Sequence, residues 1–376
     1  MIKHIRKIPY VDIGLQHRAI SKELLSEIEK VINHGQFVLG KEVELFEKKL
    51  ADLSGVKFSV GVNSGTDALI LALQVLGIGH GDEVITAPNS FVSTASAIKL
   101  SGAIPRFVDV DNSYNIDPSQ IEKQITNKTK AIIPVHLTGR PADMFPIIEL
   151  SKKYNISVIE DAAQAIMGKY HNKPVGSIGD IGCFSFHPLK TLNACGDAGA
   201  ITTNNKLIYE KLLVLRNLGL KNRSNCEYWS MNSRLDSIQA SILNVKINFI
   251  EEWTSARRKN ADIYNKSFSD MNEITLPSEN DRNYSVYHTY VIQVEKRDEL
   301  KEYLNTNGIG TAIHYPVPIH LQSVANDLGY NKGSFPKAEK QSKNIISLPI
   351  YPELKNDDLK YIIQTIKRFY QKNENR

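Results

Sequence analysis

Cysteine, tryptophan and long apolar runs are scarce in this chain. Its 376 residues include three cysteines and two tryptophans. Cys183, Cys195 and Cys226 form no CxxC pair, so we expect neither a disulfide framework nor a zinc site. The start, Met1 to Arg6, lacks the apolar core of a signal peptide, and no segment reaches the roughly 18 apolar residues of a spanning helix. We therefore expect a cytoplasmic protein that has no membrane partner.

A strong excess of one charge is also missing. The chain has 46 basic and 41 acidic residues, a net charge of +5, and the basic residues form no patch or arm. Nucleic-acid binders usually concentrate such residues, so we expect no nucleic-acid partner. Hydrophobic residues make up 41% of the chain, which is ordinary for a globular protein with one large and one smaller domain.

Fingerprints of nucleotide and metal sites are absent as well. Neither GxGxxG nor GxxxxGK[ST] occurs. Four histidines lie near predicted strand ends and loops, namely His136, His187, His314 and His320. None pairs at a ligand spacing such as HExxH, so we expect no metal site. His187 is close enough to Lys190 in sequence to face a substrate, whereas His136 suits a buried core position equally well.

Strand-like apolar runs alternate with helical patterns, which favours an α/β fold with parallel strands. The predicted strands of the main sheet are Val56–Val62, Glu83–Ala87, Ile104–Val110, Ala131–Val135, Ser157–Glu160, Ile181–Phe186 and Ala198–Thr203. Apolar residues then recur at helical spacing from Leu235 to Trp253, which predicts one long helix between two domains. We place the large domain, with its N-terminal arm, at residues 1–250 and the small C-terminal domain at 251–376. The polar tail from Gln371 to Arg376 is expected to fray.

Charged and polar residues follow two of the predicted strands. Asp161 follows a buried strand, at the edge where open α/β sheets bind ligands, and Gln164 comes three residues later. Lys190 follows another apolar strand, five residues beyond Ser185. Each residue has an ordinary alternative, because Asp161 can cap a turn while Gln164 and Lys190 can be solvated surface residues.

This ordered set is what an enzyme that uses pyridoxal 5'-phosphate (PLP) needs. A lysine amine forms a Schiff base with the cofactor and then moves a proton, while a carboxylate keeps the pyridine nitrogen protonated. The turn Asn63–Asp67 stands between a strand and a helix, where Gly65 lets backbone N–H groups approach a phosphate. Ser64 or Thr66 can equally be a plain helix cap. The set predicts a PLP enzyme with Lys190 as its catalytic residue.

Two loops complete the predicted site. The stretch Gly196–Gly199 is expected to let the backbone pass close to the cofactor. The loop Ala312–Pro316, which contains His314 and Tyr315, has two readings. It either closes over the site and contacts the substrate, or simply covers the domain.

Several segments together carry a family resemblance. They are Gly40–Val43 with Phe46–Glu47, Ser64–Leu69, Glu160–Gln164, Phe184–Lys190 and Asn232–Asp236. On these, the chain resembles the DegT/DnrJ-type nucleotide-sugar aminotransferases from about Pro9 to Leu354. The resemblance implies the type I, or aspartate-aminotransferase, fold: a large domain with a mostly parallel seven-stranded sheet and a smaller α+β domain.

The resemblance also implies roles for individual residues. Lys190 matches the Schiff-base lysine, Asp161 the contact to the ring nitrogen and Gln164 the contact to the ring oxygen. The remaining cofactor matches are Gly65, Thr66 and Ser185 for the phosphate and Phe91 for stacking on the ring.

One match points to a second subunit. Asn232 matches an asparagine that reaches the phosphate from the neighbouring chain, which implies a homodimer with shared active sites. The chain departs from the family pattern at Ser230, where a glycine is common, and over Leu218–Trp229. Lys221 and Arg223 are candidates for contacts to a nucleotide diphosphate.

The implied reaction moves an amino group from L-glutamate to a keto-deoxysugar carried on dTDP or UDP, for surface polysaccharide or glycoconjugate biosynthesis. Val135–Pro141 and His314–Gln322 resemble members that aminate a 3-keto sugar on dTDP. A 4-keto sugar on UDP or GDP and a keto-sugar acid without a nucleotide stay open. A PLP-dependent sugar dehydratase would carry histidine in place of Lys190. A non-enzymatic PLP-binding regulator would need a further module, and the fold uses nearly all the residues.

Overall fold

The computed structural model describes residues 6–277 and 279–374. The predictions for Met1 to Ile5 and for the last two residues of the tail lie outside these ranges. Within them, the helices are α1 (Ile13–Ala19), α2 (Ser21–His34), α3 (Lys41–Ser54), α4 (Gly65–Val75), α5 (Ser93–Leu100), α6 (Pro118–Ile121), α7 (Met144–Tyr154), α8 (Lys206–Leu215), α9 (Ser237–Lys246), α10 (Ile250–Phe268), α11 (Arg297–Thr306), α12 (Pro336–Asn344) and α13 (Asn356–Glu374).

The strands of the described residues form one large and several small sheets. They are β1 (Phe58–Val62), β2 (Glu83–Thr86), β3 (Ile104–Phe107), β4 (Thr129–Ile132), β5 (Ser157–Asp161), β6 (Lys169–Tyr170), β7 (Lys173–Pro174), β8 (Ile181–Ser185), β9 (Gly199–Thr203), β10 (Leu220–Asn222), β11 (Asn225–Cys226), β12 (Ile274–Thr275), β13 (Asn283–Tyr284), β14 (Tyr290–Val294) and β15 (Ile345–Leu348).

The central sheet has seven strands in the order β1-β9-β8-β5-β4-β2-β3. The five strands β8, β5, β4, β2 and β3 are parallel to one another, whereas β9 is antiparallel to both β8 and β1. All seven predicted strands are present, so the mostly parallel seven-stranded sheet is confirmed. Several strands are buried along nearly their whole length, as expected for a sheet covered on both faces.

The helix α4 covers one face of this sheet close to the site described below. Leu69 and Leu73 pack with Val60 of β1 and Ile201 of β9 in one apolar cluster. Ser64 begins the helix, because its hydroxyl accepts a hydrogen bond from the N–H of Asp67 at 3.1 Å. The start of α4 is thereby held at the edge of the sheet.

The long helix expected from Leu235 to Trp253 is interrupted. The chain forms α9, then a 3₁₀ turn at Ile247–Phe249, then α10, which continues to Phe268. Side chains on both sides of the turn, from Val245 to Trp253, pack into the same apolar cluster, so the tighter turn keeps them buried. Further along α10, Tyr264 and Phe268 belong to a second cluster, which explains why the helix runs on.

This second cluster lies in the C-terminal part of the chain. It surrounds the antiparallel sheet β12-β14-β15 and contains Tyr264, Tyr290 and Ile362. The N-terminal segment joins it through Ile8, whose N–H donates to the Gly308 carbonyl at 2.8 Å. A separate apolar core supports a domain boundary near residue 250, which stays a prediction. Among the described helices, none combines the length and apolar composition required to cross a bilayer.

Candidate active site

A cavity of about 420 Å³ lies at the carboxyl ends of the parallel strands. Most of the predicted site residues line it, namely Gly65, Thr66, Phe91, Asp161, Gln164, Ser185, His187, Lys190, His314 and Tyr315. Parallel strands bring their carboxyl ends to one edge, so residues that are far apart in sequence meet there. Within the described residues, no group of histidine, cysteine and carboxylate side chains could hold a metal ion.

Lys190 projects from the turn that follows β8. The turn is closed by the Lys190 N–H, which donates to the His187 carbonyl at 2.8 Å. The ammonium group has no hydrogen-bond partner among the described residues, although the side chain is partly buried. Burial lowers the pKa of Lys190 to about 8, against the opposing charge of Asp161. A substantial fraction of the amine is therefore neutral, and nucleophilic, close to physiological pH.

Asp161 ends β5 and faces the same cavity. Its Oδ2 accepts a hydrogen bond from the Thr94 hydroxyl at 2.8 Å, and its Oδ1 accepts one from the Ala163 N–H at 3.2 Å. Burial raises the pKa of this carboxyl group, while the two hydrogen bonds and Lys190 act in the opposite direction. The carboxylate is thus oriented and only 5% exposed, and a cationic partner in the cavity would stabilise its charge.

Gln164 connects the sheet edge with the loop Ala312–Pro316. Its Oε1 accepts from the Thr138 N–H at 2.8 Å, and its Nε2 donates to the Tyr315 hydroxyl at 3.2 Å. The first bond fixes which end of the amide is the donor. Nε2 therefore keeps a second hydrogen for another acceptor. Tyr315 lines the cavity, so this loop forms part of its wall.

The start of α4 forms a cradle against β8. A Cβ atom at Gly65 would lie 2.6 Å from the Cβ of Ser185, so only glycine fits there. Thr66 donates its hydroxyl hydrogen to Ser93 at 3.0 Å. The free N–H groups of this 11-residue helix and the Ser185 hydroxyl provide hydrogen-bond donors for a phosphate. The stretch Gly196–Gly199 passes close to this cradle, because a Cβ atom at Gly199 would lie 2.4 Å from the backbone of Ser64 and Asp197 lines the cavity. Its approach to the cofactor stays a prediction.

The aromatic rings at the mouth of the cavity come from both parts of the chain. Phe91 is 53% exposed and lies 5.6 Å from Tyr315 between ring centroids, at an angle of 41°. Its ring therefore keeps a face that a flat ligand can stack on. His314 lies behind Tyr315, and its Nδ1 is 2.8 Å from the Ser347 hydroxyl. Burial and the charge of Lys190 lower the pKa of His314 to about 4, so this imidazole is neutral.

The remaining histidines divide into structural and accessible ones. His136 is fully buried, accepts from the Ala142 N–H at Nδ1 and lies 3.0 Å from Glu160 through Nε2. Glu160 also accepts from three backbone N–H groups of residues 176–179, so the pair holds a turn together. His320 is likewise buried against Glu339. His187 is exposed and lines the cavity.

Three predicted residues lie away from this chain's cavity. Lys221 and Arg223 are exposed on the β10–β11 hairpin, where Lys221 pairs with Glu227 at 2.9 Å. Asn232 is exposed just beyond the hairpin. The structure does not bring these side chains to the cavity of their own chain. A role in an active site would require a neighbouring subunit, and this stays a prediction.

Comparison with known proteins decides the family. The sequence profile of the DegT/DnrJ/EryC1/StrS aminotransferase family matches residues 18–367. This chain belongs to that family. The aminotransferase is 43% identical to a pleiotropic regulatory protein of Geobacillus stearothermophilus, over 96% of this chain and 98% of that protein.

Two further relatives agree in sequence and in fold. The dTDP-3-amino-3,6-dideoxy-alpha-D-galactopyranose transaminase of Aneurinibacillus thermoaerophilus is 40% identical over 96% of this chain and 99% of its own. The crystal structure of DesV from S. venezuelae, in complex with a ketimine intermediate, superimposes with a TM-score of 0.95 at 36% identity. That match covers 96% of this chain and 98% of DesV. The predicted type I fold is confirmed.

Part of the aminotransferase cavity was missed from sequence. Its remaining wall includes Tyr10 from the N-terminal segment and Arg257, His288 and Thr289 from the C-terminal part. These segments reach the sheet edge only through packing of the second cluster, so no local sequence motif predicts that their residues line the cavity. One signal was present: Arg257 interrupts the buried face of α10, four residues after Trp253.

Proposed function

We propose that this chain is a PLP-dependent aminotransferase that transfers the amino group of L-glutamate to a 3-keto sugar linked to a nucleotide. Its cofactor is pyridoxal 5'-phosphate. One observation carries the proposal: a single cavity, which also contains a helix N-terminus, is faced by an oriented Asp161 and by Lys190, whose ammonium group has no hydrogen-bond partner among the described residues. The cradle of Gly65 and Ser185 fits the phosphate of this cofactor, since any larger residue at position 65 would fill it.

Each cavity residue has a task in this proposal. When bound, the cofactor supplies an electron-withdrawing ring next to the reacting carbon. Asp161 holds the proton on the ring nitrogen, which maintains that withdrawal. Gln164 donates its second Nε2 hydrogen to the ring oxygen, and Phe91 packs against the ring face. The Gly65 and Thr66 amides and the Ser185 hydroxyl bind the phosphate.

Lys190 performs the proton transfer. Its Nζ removes the proton from the donor carbon that bears the amino group and returns one to the sugar carbon that receives it. A pKa of about 8 suits both directions, because the group can accept and release a proton near neutral pH. A dehydratase would carry histidine at this position, so Lys190 favours transamination.

A 3-keto sugar on dTDP is the acceptor that we favour. The Aneurinibacillus relative bears a name that specifies a dTDP-linked 3-amino sugar. The segments Val135–Pro141 and His314–Gln322, which resemble members acting on such sugars, each contribute to the cavity wall through Val135, His314 and Tyr315. His187, His314 and Tyr315 are the candidates for sugar contacts.

A homodimer is part of the same proposal. Asn232 would reach the phosphate in the neighbouring cavity, and Lys221 and Arg223 would approach the nucleotide diphosphate there. Their exposure supports this assignment, since side chains that contact a partner are solvent-accessible in one chain alone.

The three cysteines are free, as expected for a reducing cytoplasmic setting.

The proposal is tested with purified protein and PLP. Glutamate should release 2-oxoglutarate and convert the absorbance to that of the pyridoxamine form. A panel of 3-keto and 4-keto sugars on dTDP, UDP and GDP, with a free keto-sugar acid, then identifies the acceptor by the aminated product. Faster amination of a 4-keto sugar or of the acid would overturn the choice of acceptor. Failure to release 2-oxoglutarate would overturn glutamate as donor.

A regulatory role is the second candidate, because one relative is named a pleiotropic regulatory protein. A regulator would bind PLP in the same cavity without catalysing the half-reaction. Release of 2-oxoglutarate in repeated turnovers therefore favours the enzyme, and cofactor binding without release favours the regulator.

A further inference from the structure

Arg257 places a buried cation in the wall of the cavity opposite the sheet edge. It belongs to α10 and is 5% exposed, yet it lines the cavity. Burial lowers the pKa of its guanidinium to about 10, so the group keeps its charge at neutral pH. A charged group this deep in a protein normally has a counter-charge, because an uncompensated ion loses its hydration energy.

Among the described residues, no carboxylate contacts Arg257 directly. One guanidinium nitrogen, Nη1, donates to the carbonyls of Ile350, Tyr287 and His288. Nε is buried, and within residues 6–277 and 279–374 it has no hydrogen-bond partner and no carboxylate forms an ion pair with Arg257. Glu353 acts on it through its charge without such a contact. Carbonyl groups orient the guanidinium, and its compensation by charge comes only from a carboxylate that does not touch it.

Two other arginines show what compensation looks like in this protein. Arg216, which is equally buried, pairs with Glu47. Arg258, the next residue after Arg257, pairs with Glu279 at 2.6 Å and lies outside the cavity. Of these three arginines, Arg257 is therefore the one that faces the cavity and not a carboxylate side chain.

Polar atoms beside Arg257 also lack partners. The Nδ1 of His288 and the hydroxyl of Thr289 are buried without hydrogen bonds in the part of the chain that the structure describes, and both residues line the cavity. Burial, followed by the charges of Lys190 and Arg257, lowers the pKa of His288 well below its ordinary value, so it is neutral. Arg257, Thr289 and a suitable tautomer of His288 can therefore all donate to one anion.

We propose that Arg257, with His288 and Thr289, forms the subsite that binds a carboxylate group of the amino donor. A planar guanidinium matches the two oxygens of a carboxylate. The diphosphate of a nucleotide sugar has bulky groups attached at both ends, so it does not fit against a guanidinium that is almost enclosed. A terminal carboxylate does. This inference rests on the proposed function, in which the donor is glutamate. It adds the residues that hold the donor while Lys190 acts on its α-carbon.

The test is a pair of calorimetric titrations on the PLP-loaded protein. Glutarate, a dicarboxylate without an amino group, probes the donor subsite, and dTDP probes the nucleotide site. Arg257→Lys should weaken glutarate binding about 10–100-fold, the worth of a charge-assisted hydrogen bond, and leave dTDP binding unchanged. Arg258→Lys is the matched control and should leave both affinities unchanged. The KM for glutamate should rise in Arg257→Lys while the KM for the sugar stays constant.

The outcomes separate the subsite from the proposed function. Unchanged glutarate binding in Arg257→Lys, or loss of dTDP binding with glutarate binding retained, would overturn the carboxylate subsite. If Arg257→Lys weakens glutarate binding but the wild-type protein never releases 2-oxoglutarate from glutamate, the proposed function alone is overturned. Arg257→Met, which removes the charge, should weaken glutarate binding further. Since this variant can lose stability, a thermal unfolding curve accompanies it, and Arg257→Lys decides the matter if Arg257→Met does not fold.

Discussion

Lys190 and Lys246 have similarly lowered pKa values but different surroundings. Burial lowers the pKa of both Lys190 and Lys246 to about 8. Lys246 is fully buried, and its ammonium donates to the carbonyl of Asn193, to the Asn193 side chain and to Nε2 of His17. Lys190 has none of these bonds within the described residues and faces the cavity. A shifted pKa alone therefore does not identify a reactive lysine.

The two lysines are also connected. Asn193, which Lys246 holds, donates from its Nδ2 to the carbonyl of Lys190 at 3.0 Å. The buried Lys246 thus anchors the segment that carries Lys190. We infer that Lys190 acts chemically and that Lys246 positions it, and substitutions at the two lysines should therefore differ in their effects.

The largest effect is expected for Lys190→Ala. Loss of the group that transfers the proton should reduce release of 2-oxoglutarate by about 10⁴-fold or more. Binding of PLP through the phosphate cradle should persist, as measured by retention of the cofactor on gel filtration. Near-normal turnover in this variant would contradict the role of Lys190.

A smaller loss is expected for Asp161→Asn. The amide is nearly the same size but cannot hold a proton on the ring nitrogen, so kcat should fall about 10²–10³-fold. Thr94→Val, which removes one hydrogen bond to Asp161, should have a weaker effect in the same direction. Steady-state rates with glutamate measure both. Equal activity of Asp161→Asn and wild type would remove the carboxylate from the mechanism.

Lys246→Met should act on stability more than on chemistry. It leaves the Asn193 side chain and carbonyl without their donor, which should cost about 1–3 kcal/mol of unfolding free energy in urea. Turnover should fall far less than in Asp161→Asn. If Lys246→Met instead lost activity as completely as Lys190→Ala with unchanged stability, the assignment of the two lysines would be reversed.

The pH dependence of cofactor capture gives the smallest but most specific difference. The neutral amine is the nucleophile, and its fraction rises as the pH passes the pKa. Capture of PLP by the cofactor-free protein should therefore accelerate with a midpoint near pH 8, below the ordinary lysine value of 10.5. Lys246→Met should leave this midpoint in place. A midpoint near the ordinary value would show that Lys190 is fully hydrated in solution.

The sheet was predictable because its signals are local. Each strand is a short apolar run closed by a turn, as at Glu83–Thr86 before Pro88. Direction was harder, since nothing within Gly199–Thr203 tells that β9 runs antiparallel to its neighbours. The helix from Leu235 to Trp253 was predicted as continuous because a 3₁₀ turn preserves the apolar spacing that the prediction used.

The residues of the candidate site likewise fall into those with a local sequence signal and those placed by contacts between distant residues. Asp161, Gln164 and Lys190 could be named because each closely follows a strand whose end marks the ligand edge of the sheet. Arg257, His288 and Tyr10 arrive through the packing of the C-terminal cluster and the N-terminal segment, which depends on contacts between distant residues. Glu160 and His136 stood beside functional motifs but hold the scaffold.

The most direct test of the account is borohydride reduction of the PLP-loaded protein followed by peptide mapping. We expect a single phosphopyridoxyl label, on Lys190, at one group per chain. Lys246, despite a similar pKa, should carry none, because its nitrogen is enclosed by three hydrogen bonds. A label on Lys246 or on any other lysine, with Lys190 unmodified, would show that Lys190 is not the residue that binds the cofactor covalently.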